Sequence, residues 1–512
     1  MQGRRAFLIS TARVAGGLIL ASCAAGAPAA TAPVANTRGT LKWGASQGDI
    51  IGLEPFHSTD VGALQIFNSL YDGVASRDAN YKLQPRLAES WKLLNNTTWQ
   101  FKLRPDVKFH NGDPLTSADV KFTIDYLNDP KSKTLYLSSF ATLDRIEIID
   151  NLTFNIVSKT PDPFLPDKLS VRPSYIIPAN HFTKVGFDAF NKAPIGTGPY
   201  AFKDQTQGTR LTLSANKNYW RTPAYADEII MLPRPENAAR IAGLKSGELN
   251  FIDLVPFDQV DDINASPNAK VVVEKTTTIA NYVINALVAP LDKKLVRQAL
   301  SLAVDRDAMN KAFYKGTLPI ANSPLLSSEY GYDSSIPPYP YDPAKAKSLL
   351  QQAGYNNEKI VLEITSGLNP FLDQAVGEAW RSVGLNIEQR TIDPAAAAQK
   401  RAAKSFLGIY YGGTASLYGD PNGVIWRQLG PGGTHRYWSS AEFDALGKEQ
   451  ESSLDPARRK VIIQRMVAIM ADEMPWINLW GTSRVYGMAK NVDWQPGYSI
   501  TDEFHPERLR FK

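Results

Sequence analysis

Pro194-Ile195-Gly196-Thr197-Gly198-Pro199-Tyr200-Ala201 lies between two differently patterned halves of the chain and decides how the sequence is interpreted. Its letters fit G-x-G-x-x-A, the phosphate-binding pattern of dinucleotide enzymes, which requires a strand before the glycines and a helix directly after them. Pro199 lacks the backbone N–H that a phosphate would bind, and residues 200–202 and 210–213 have the composition of two strands around a turn. We therefore interpret the glycines as a close backbone junction, where the chain enters a new part of the fold, and expect no cofactor.

The composition is that of a large folded protein without a strong charge bias. The chain has 512 residues, of which 43% are hydrophobic and 21% are charged, so a single small domain is excluded and most of the chain is expected to fold. Three arginines lie within the first 13 residues, and in the remainder 53 basic residues face 51 acidic ones. This balance gives no indication of nucleic-acid binding.

The N-terminal segment predicts export from the cytoplasm. Arg4-Arg5 is typical of a twin-arginine signal, and the apolar residues 14–21 that follow are too few to span a bilayer. Leu20-Ala21-Ser22-Cys23 resembles a bacterial lipobox, in which Cys23 is acylated and becomes the first mature residue; cleavage near Ala27-Pro28-Ala29 is the alternative. Since the sequence contains a single cysteine, no internal disulfide is expected. We expect a periplasmic protein, anchored through this cysteine or free.

Helix and strand patterns alternate in the second half of the chain. Asp342-Pro343 and Asp455-Pro456 each combine an N-cap aspartate with a proline in the first turn of a predicted helix. Between them, the strand-like residues 360–364 and 385–390 flank a helical pattern at residues 371–383. This alternation predicts a largely parallel sheet that is covered by helices on both faces.

Before the junction the pattern is different. Residues 99–103 and 153–157 are strand-like, Asp150-Asn151 is typical of a hairpin turn, and Thr116 or Ser117 is placed to cap a helix. Together these elements have about the size of one domain.

Gly44-Ala45-Ser46-Gln47-Gly48 fits the G-x-S-x-G pattern of serine hydrolases. In those enzymes the serine lies on a sharp turn from a strand into a helix. Here Gly52 and Pro55 follow, and no helical period does. We expect a loop at the end of a strand, where α/β sheets place ligand contacts, and keep an exported serine hydrolase that uses Ser46 as the alternative function.

Several motifs, taken in order, resemble one protein family over nearly the whole mature chain. They are Tyr71-Asp72-Gly73, Pro85 to Trp91, Thr98 to Gly112, Pro194 to Tyr200, Asn218-Tyr219-Trp220, Leu244 to Glu248 and Val296 to Arg306. The ordered set is similar to the extracytoplasmic solute-binding proteins of peptide/nickel-type ABC importers, which include the dipeptide- and oligopeptide-binding proteins. Within the last motif, Asp305 and Arg306 are expected to form a structural ion pair or to lie together on a helix surface.

The resemblance implies an α/β fold with the two lobes of a class II, Venus-flytrap periplasmic-binding protein and an extra α+β subdomain inserted in lobe one. The predicted units are an export signal with lipobox (1–23), a tether (24–38), lobe one (39–280 and 481–512, with the inserted subdomain at 56–193) and lobe two (281–480). The implied function is to bind a solute between the lobes and deliver it to an ABC permease and its ATPase. A monomer without enzymatic activity is expected; a peptide-holding sensor or chaperone is a further alternative.

The resemblance places much of the ligand cleft in residues 406–429. The predicted ligand-binding residues are Ser46, Gln47, Asn285, Tyr411, Gly412, Thr414, Ser416, Tyr418, Asp420 and Trp426. Hydroxyl groups, aromatic faces and one carboxylate suit a small polar ligand. The five histidines have no ligand spacing, so no metal site is expected.

The cleft region departs from the peptide-binding relatives at one position. In those relatives an aspartate holds the amino group of the peptide, but alignment on Gly419-Asp420-Pro421 puts Leu417 there. Asp420 is then either the carboxylate that reaches a cationic ligand group or a turn residue before proline. The departure weakens the case for peptides with a free N-terminus and favours an opine-like, sugar-containing or blocked ligand.

Overall fold

The strands of this computed structural model define a main sheet and smaller sheets. The structure describes residues 39–47, 49–58, 61–78, 80, 82–135, 139–415, 420–494, 504–505 and 508–512. Within them the strands are β1 (Gly39–Ala45), β2 (Ala75–Arg77), β3 (Leu83–Pro85), β4 (Ala88–Asn95), β5 (Thr98–Leu103), β6 (Leu143–Ile148), β7 (Thr153–Ser158), β8 (Tyr200–Thr206), β9 (Arg210–Ala215), β10 (Ala226–Pro233), β11 (Phe251–Ile252), β12 (Ala269–Ile284), β13 (Lys359–Thr365), β14 (Asn386–Ile392), β15 (Ile409–Ala415), β16 (Trp476–Ala489), β17 (Val492–Trp494) and β18 (Leu509–Phe511). The predicted leader, Cys23, Ser416 and Tyr418 lie outside the described residues.

The helices cover the faces of these sheets. Among the described residues they are α1 (Val61–Leu70), α2 (Ser117–Asn128), α3 (Leu165–Lys168), α4 (Ala179–Val185), α5 (Phe187–Lys192), α6 (Asn237–Ser246), α7 (Val260–Asn264), α8 (Lys294–Leu302), α9 (Arg306–Tyr314), α10 (Pro343–Gln352), α11 (Pro370–Ser382), α12 (Pro394–Ala403), α13 (Arg427–Leu429), α14 (Ala441–Ser452) and α15 (Pro456–Glu473). None of the helices in this part of the chain combines the length and the apolar character needed to cross a membrane.

The predicted helix starts are confirmed by their cap geometry. Asp342 Oδ1 accepts a hydrogen bond from the Lys345 N–H at 2.8 Å, and α10 begins at the next residue. Asp455 Oδ1 accepts from the Ala457 N–H at 2.9 Å, and α15 begins in the same way. In both cases the aspartate satisfies a backbone donor that the helix itself leaves unpaired.

The main sheet has the order β14-β13-β15-β12-β16-β11-β1-β10-β9-β8. β1 is parallel to β10 and β11, and β13 is parallel to β14 and β15. The other ladders are antiparallel. The prediction of a largely parallel sheet is therefore wrong: β8, β9 and β10 are joined as hairpins, and the long central strands run against their neighbours.

The two long strands β12 and β16 lie side by side in the centre of this sheet. Their register is interrupted between Lys275 and Ile279 and again between Ala280 and Asn281. One half of the sheet, with β11, β1, β10, β9 and β8, lies on one side of the pair, and β15, β13 and β14 lie on the other. The predicted lobe boundaries, after residues 280 and 480, fall inside these two strands.

Separate hydrophobic cores support the two halves of the sheet. In the second half, Tyr282 and Ile284 of β12 pack with α8, α10 and α11, whereas Val283 packs on the opposite face with α14 and α15. This alternation is what a strand buried on both faces requires. In the first half, one core joins Trp43 of β1 to Phe101 of the four-stranded sheet β4-β5-β7-β6.

The glycine junction packs directly against the end of α1. A Cβ atom at Gly196 would lie 2.0 Å from the carbonyl oxygen of Leu70, and one at Gly198 would lie 2.4 Å from the carbonyl oxygen of Ser69. The Gly198 N–H donates to the Leu70 carbonyl at 3.0 Å, and strand β8 follows at Tyr200. The interpretation of this stretch as a close backbone junction is confirmed, because no side chain would fit there.

The fully buried carboxylate of Asp72 ties this junction to the rest of the first half. It accepts hydrogen bonds from the Thr197 hydroxyl at 3.0 Å, the Tyr219 hydroxyl at 3.1 Å and the Trp220 indole N–H at 3.0 Å. The guanidinium of Arg86 forms an ion pair with the same carboxylate. Together with Asp72 these residues come from four motifs of the ordered set, since Tyr219 and Trp220 share one, and these motifs meet at one buried charge.

We predict that Asp72→Ala lowers the free energy of unfolding by about 3–5 kcal/mol, because it leaves the Arg86 charge buried without its partner. Urea and thermal unfolding measure the change. The control is Asp144→Ala, which removes an exposed ion pair with Arg145 and should have little effect. Equal effects of the two substitutions would contradict a central role for Asp72.

Candidate functional site

A cleft of about 510 Å³ lies between segments that are distant in the sequence. Arg77, Trp99 and Asp167 belong to one wall, and Glu329, Tyr330, Asp420 and Arg459 belong to the other. The first wall comes from the region of the four-stranded sheet, and the second from loops and helices of the second half of the main sheet. The volume is in the range of pockets that hold small molecules or short peptides.

Each wall contains an ion pair of its own, and the pair in the second wall is buried. In the second wall, Arg459 Nη1 donates to Asp420 Oδ2 at 2.6 Å, and the two side chains are 7% and 8% exposed. In the first wall, Arg77 pairs with Asp167. Burial raises the pKa of Asp167 to about 6, while the charge of Arg77 opposes the shift. Both aspartates are therefore compensated within their own wall.

Arg459 also makes a contact across the cleft. Its guanidinium carbon lies 4.6 Å from the ring centroid of Phe164, which precedes α3 on the first side. On its own side it lies 5.4 Å from the ring centroid of Tyr330. An arginine above an aromatic face is attracted by the ring quadrupole, so this side chain links the two walls.

Glu329 is a buried carboxyl group in the second wall and is 5% exposed. Its Oε2 accepts a hydrogen bond from the Leu326 N–H at 2.6 Å. Its Oε1 has no hydrogen-bond partner among the described residues. Burial raises the pKa of Glu329 to about 8, and the neighbouring charge of Asp420 adds to the rise.

Ser46 lies at the end of β1 and is held by a carboxylate. Its N–H and its hydroxyl donate to the two oxygens of Asp253, at 2.8 and 3.0 Å, and the Gln65 amide donates to the same side chain at 3.1 Å. A nucleophilic serine needs a histidine or another base to accept its proton, whereas here the hydroxyl binds a carboxylate. Gln47 lines a second, smaller pocket with Gln205.

The predicted residues on and near β15 hold this strand to its neighbours. Thr414 Oγ1 accepts from the Asn281 amide at 2.9 Å, and a Cβ at Gly412 would lie 2.8 Å from the Asn281 side-chain oxygen. Asn285 Nδ2 donates to the Phe406 carbonyl at 2.8 Å. Tyr411 packs edge-on against Tyr282 with 5.6 Å between ring centroids. These contacts position the strand, and the four predicted residues are not among the described lining residues of the large cleft.

Trp426 lies in the hydrophobic core of the second half and is 6% exposed. It fits against α14 so closely that a Cβ at Gly447 would lie 2.0 Å from its ring. Of the predicted site residues that the structure describes, Asp420 lines the large cleft. Sequence reasoning missed Arg77, Glu329 and Arg459, since isolated charged residues in distant segments form no motif.

The sequence profile of bacterial extracellular solute-binding proteins, family 5 Middle, matches residues 82–436. The chain belongs to this family. It is 31% identical over 307 residues to the glutathione-binding protein GsiB of Pectobacterium atrosepticum. The aligned residues cover 60% of this chain and 59% of that protein. It is 28% identical over 458 residues to heme-binding protein A of Haemophilus influenzae, which covers 82% of each chain.

A comparison with solved structures supports the same fold. The ABC transporter substrate binding protein CtaP of Listeria monocytogenes superposes with a TM-score of 0.84 at 21% identity, over 93% of this chain and 99% of that one. The predicted two-lobe, class II α/β fold and the predicted family are confirmed. This family 5 member is an extracellular solute-binding protein for ABC import and not an enzyme, which excludes the serine-hydrolase alternative.

A buried histidine hydrogen-bonds to a side chain of strand β15. His435 is 5% exposed, and its Nδ1 shares a 2.5 Å hydrogen bond with the hydroxyl of Tyr410 on β15. Burial lowers the pKa of His435 to about 4, and the nearby positive charge of Arg401 adds to the decrease. The folded protein therefore holds this histidine neutral.

We predict that this histidine makes the second lobe sensitive to acid. Because the ordinary pKa is 6.5 and the folded value is about 4, the unfolded chain binds more protons between these pH values. The contribution of neutral His435 is complete above pH 6.5 and is lost as the pH falls towards 4. His435→Gln should reduce the fall in melting temperature between pH 7 and pH 5; an unchanged fall would rule out this histidine as a cause.

Proposed function

We propose that this family 5 protein binds a small extracytoplasmic solute, a blocked peptide or an opine-like molecule, in the cleft that Arg459 and Phe164 bridge, and presents its closed form to an ABC permease and its ATPase. The observation that carries the proposal is that the two walls pack on different cores: Trp99 packs against the core of the first half of the main sheet, and Tyr330 against a core of the second half. A solute that contacts both walls favours the closed arrangement.

The strand crossing supports such a closure. At the interrupted register, the hydroxyl groups of Thr276 and Thr482 lie 2.6 Å apart and hydrogen-bond across the two strands. Irregularities of this kind bend a strand pair without separating it. Since the halves of the sheet have separate cores, the lobes can rotate about this crossing while each core stays packed.

The ion pairs of the cleft bear on the class of solute. Asp420 is engaged with Arg459, and taking one partner from a buried pair costs about 3–5 kcal/mol. Asp420 is thus a poor holder for a ligand ammonium group, and the resemblance implies that Leu417 stands where peptide-binding relatives have the aspartate that serves this purpose. Both points favour a solute without a free amino group at this place.

We further propose that the protein is exported through its twin-arginine signal and anchored through a lipid on Cys23. The sequence Arg4-Arg5 and the lipobox-like Leu20-Ala21-Ser22-Cys23 support this proposal.

For the cleft, we predict that Phe164→Leu weakens solute binding by about 2- to 30-fold, because it removes a cation–π contact of ~0.5–2 kcal/mol with Arg459 from the closed form. The solute is the one identified by native mass spectrometry of the purified protein, and titration calorimetry gives its Kd. The control is Phe154→Leu, a buried phenylalanine that stacks on Phe101 within the same region. Equal affinities of the two variants, or a purified protein that carries and binds no solute, would contradict the proposal.

For the anchor, we predict that Cys23→Ser moves the protein from the membrane fraction to the soluble periplasmic fraction. Replacement of Arg4-Arg5 by two lysines should retain the precursor in the cytoplasm. Cell fractionation with immunoblotting measures both. Membrane attachment that persists in Cys23→Ser would exclude a lipid on this cysteine.

A further inference from the structure

Among the described residues, three carboxyl groups line the large cleft, and they differ in whether a basic side chain compensates their charge. Asp167 pairs with Arg77, and Asp420 pairs with Arg459. Glu329 forms no ion pair with a described residue, and its Oε1 has no hydrogen-bond partner there, although the side chain is buried. A buried polar atom without a partner costs free energy, so a group that supplies one is favoured at this position.

The charges of the cleft walls indicate which kind of group that is. The lining contains three basic side chains, Arg77, Lys82 and Arg459, against the two paired aspartates. Lys82 is exposed and forms no ion pair with a described residue. Since burial raises the pKa of Glu329 to about 8, this carboxyl is protonated at pH 7 and adds no negative charge. The lining then carries one excess positive charge and an O–H donor.

We propose that the cleft contains a carboxylate-binding subsite, in which the protonated carboxyl of Glu329 donates a hydrogen bond to a carboxylate of the solute. The one excess positive charge of the lining stabilises the same group. An O–H···O⁻ hydrogen bond is among the strong ones in proteins. This inference rests on the proposed function and names the chemical group that the solute presents.

A cationic solute group fits this place less well. It would enter a lining with more basic side chains than ionised carboxylates, and Glu329 would first have to ionise in a buried position next to Asp420. Binding of a carboxylate requires no change in the protonation of Glu329. The carboxylate meets an O–H donor and an excess of positive charge that the lining already provides. The subsite therefore discriminates by the sign of the charge.

The test uses glutathione, N-acetyl-tri-alanine and octopine as probes, each beside its methyl ester, in titration calorimetry. We expect at least one free acid to bind about tenfold or more tightly than its ester. Glu329→Leu should weaken the binding of that acid by about tenfold and leave the affinity for its ester unchanged. Glu329→Gln retains an N–H donor and should bind the acid within about threefold of the unsubstituted protein.

The pH dependence gives a second measurement on the same variants. As the pH rises from 7 to 9, Glu329 ionises through its pKa of about 8, loses its donor and repels a carboxylate, so affinity for the acid should fall. Glu329→Gln should abolish this fall. Asp167, with a pKa of about 6, is already ionised over this range and does not contribute.

Glu363→Gln is the matched control. Glu363 is likewise buried in the second lobe, and its Oε2 accepts from the Leu407 N–H at 2.6 Å, but it pairs with Lys400 and lies outside the cleft lining. Esters that bind as well as acids, or a Glu329→Leu protein that binds like the control, would overturn the subsite and leave the proposed function intact. Failure of every probe to bind would also overturn the subsite, and the solute found by native mass spectrometry then decides separately on the proposed function.

Discussion

The buried carboxylate of Asp72 is the interaction on which the first lobe depends. A charge removed from water is tolerated only when it is paired and hydrogen-bonded, and this one is satisfied by Arg86, Thr197, Tyr219 and Trp220. These donors come from segments up to 148 residues away in the sequence. These segments must therefore assemble together around the charge. Their assembly holds the region of the first cleft wall in place relative to the glycine junction.

The two halves of the main sheet are joined through a pair of long strands. The halves of the main sheet have separate hydrophobic cores, and the long strands β12 and β16 belong to both halves. Their pairing is irregular at Lys275–Ile279 and at Ala280–Asn281, which is where a change of angle disturbs the fewest ladder hydrogen bonds. In the proposed function, a solute that bridges the walls shifts an equilibrium that leaves both cores intact.

The sequence predicts the parts of the fold that depend on local chemistry. An aspartate before a proline caps a helix wherever it occurs, and the starts at Asp342 and Asp455 are confirmed. Strand direction depends on pairing between distant segments, and here the prediction of a largely parallel sheet is wrong. The expected ion pair or surface pair of Asp305 and Arg306 is wrong as well. Asp305 caps α9, whereas Arg306 is buried and donates to the carbonyl of Asn478.

The candidate site is harder to predict than the fold because its chemistry does not coincide with the motifs. Residues of the motifs that resemble the family, such as Asp72 and its partners, stabilise the fold. Trp426, an aromatic residue of the predicted cleft, packs in a hydrophobic core. Asp420 lines the cleft, but Arg459, 39 residues further along the chain, compensates its charge. With both aspartates of the cleft paired in this way, the chemistry left for a solute comes from groups without such a partner. Among the described lining residues, Glu329 is the buried carboxyl group that forms no ion pair, and no motif contains it.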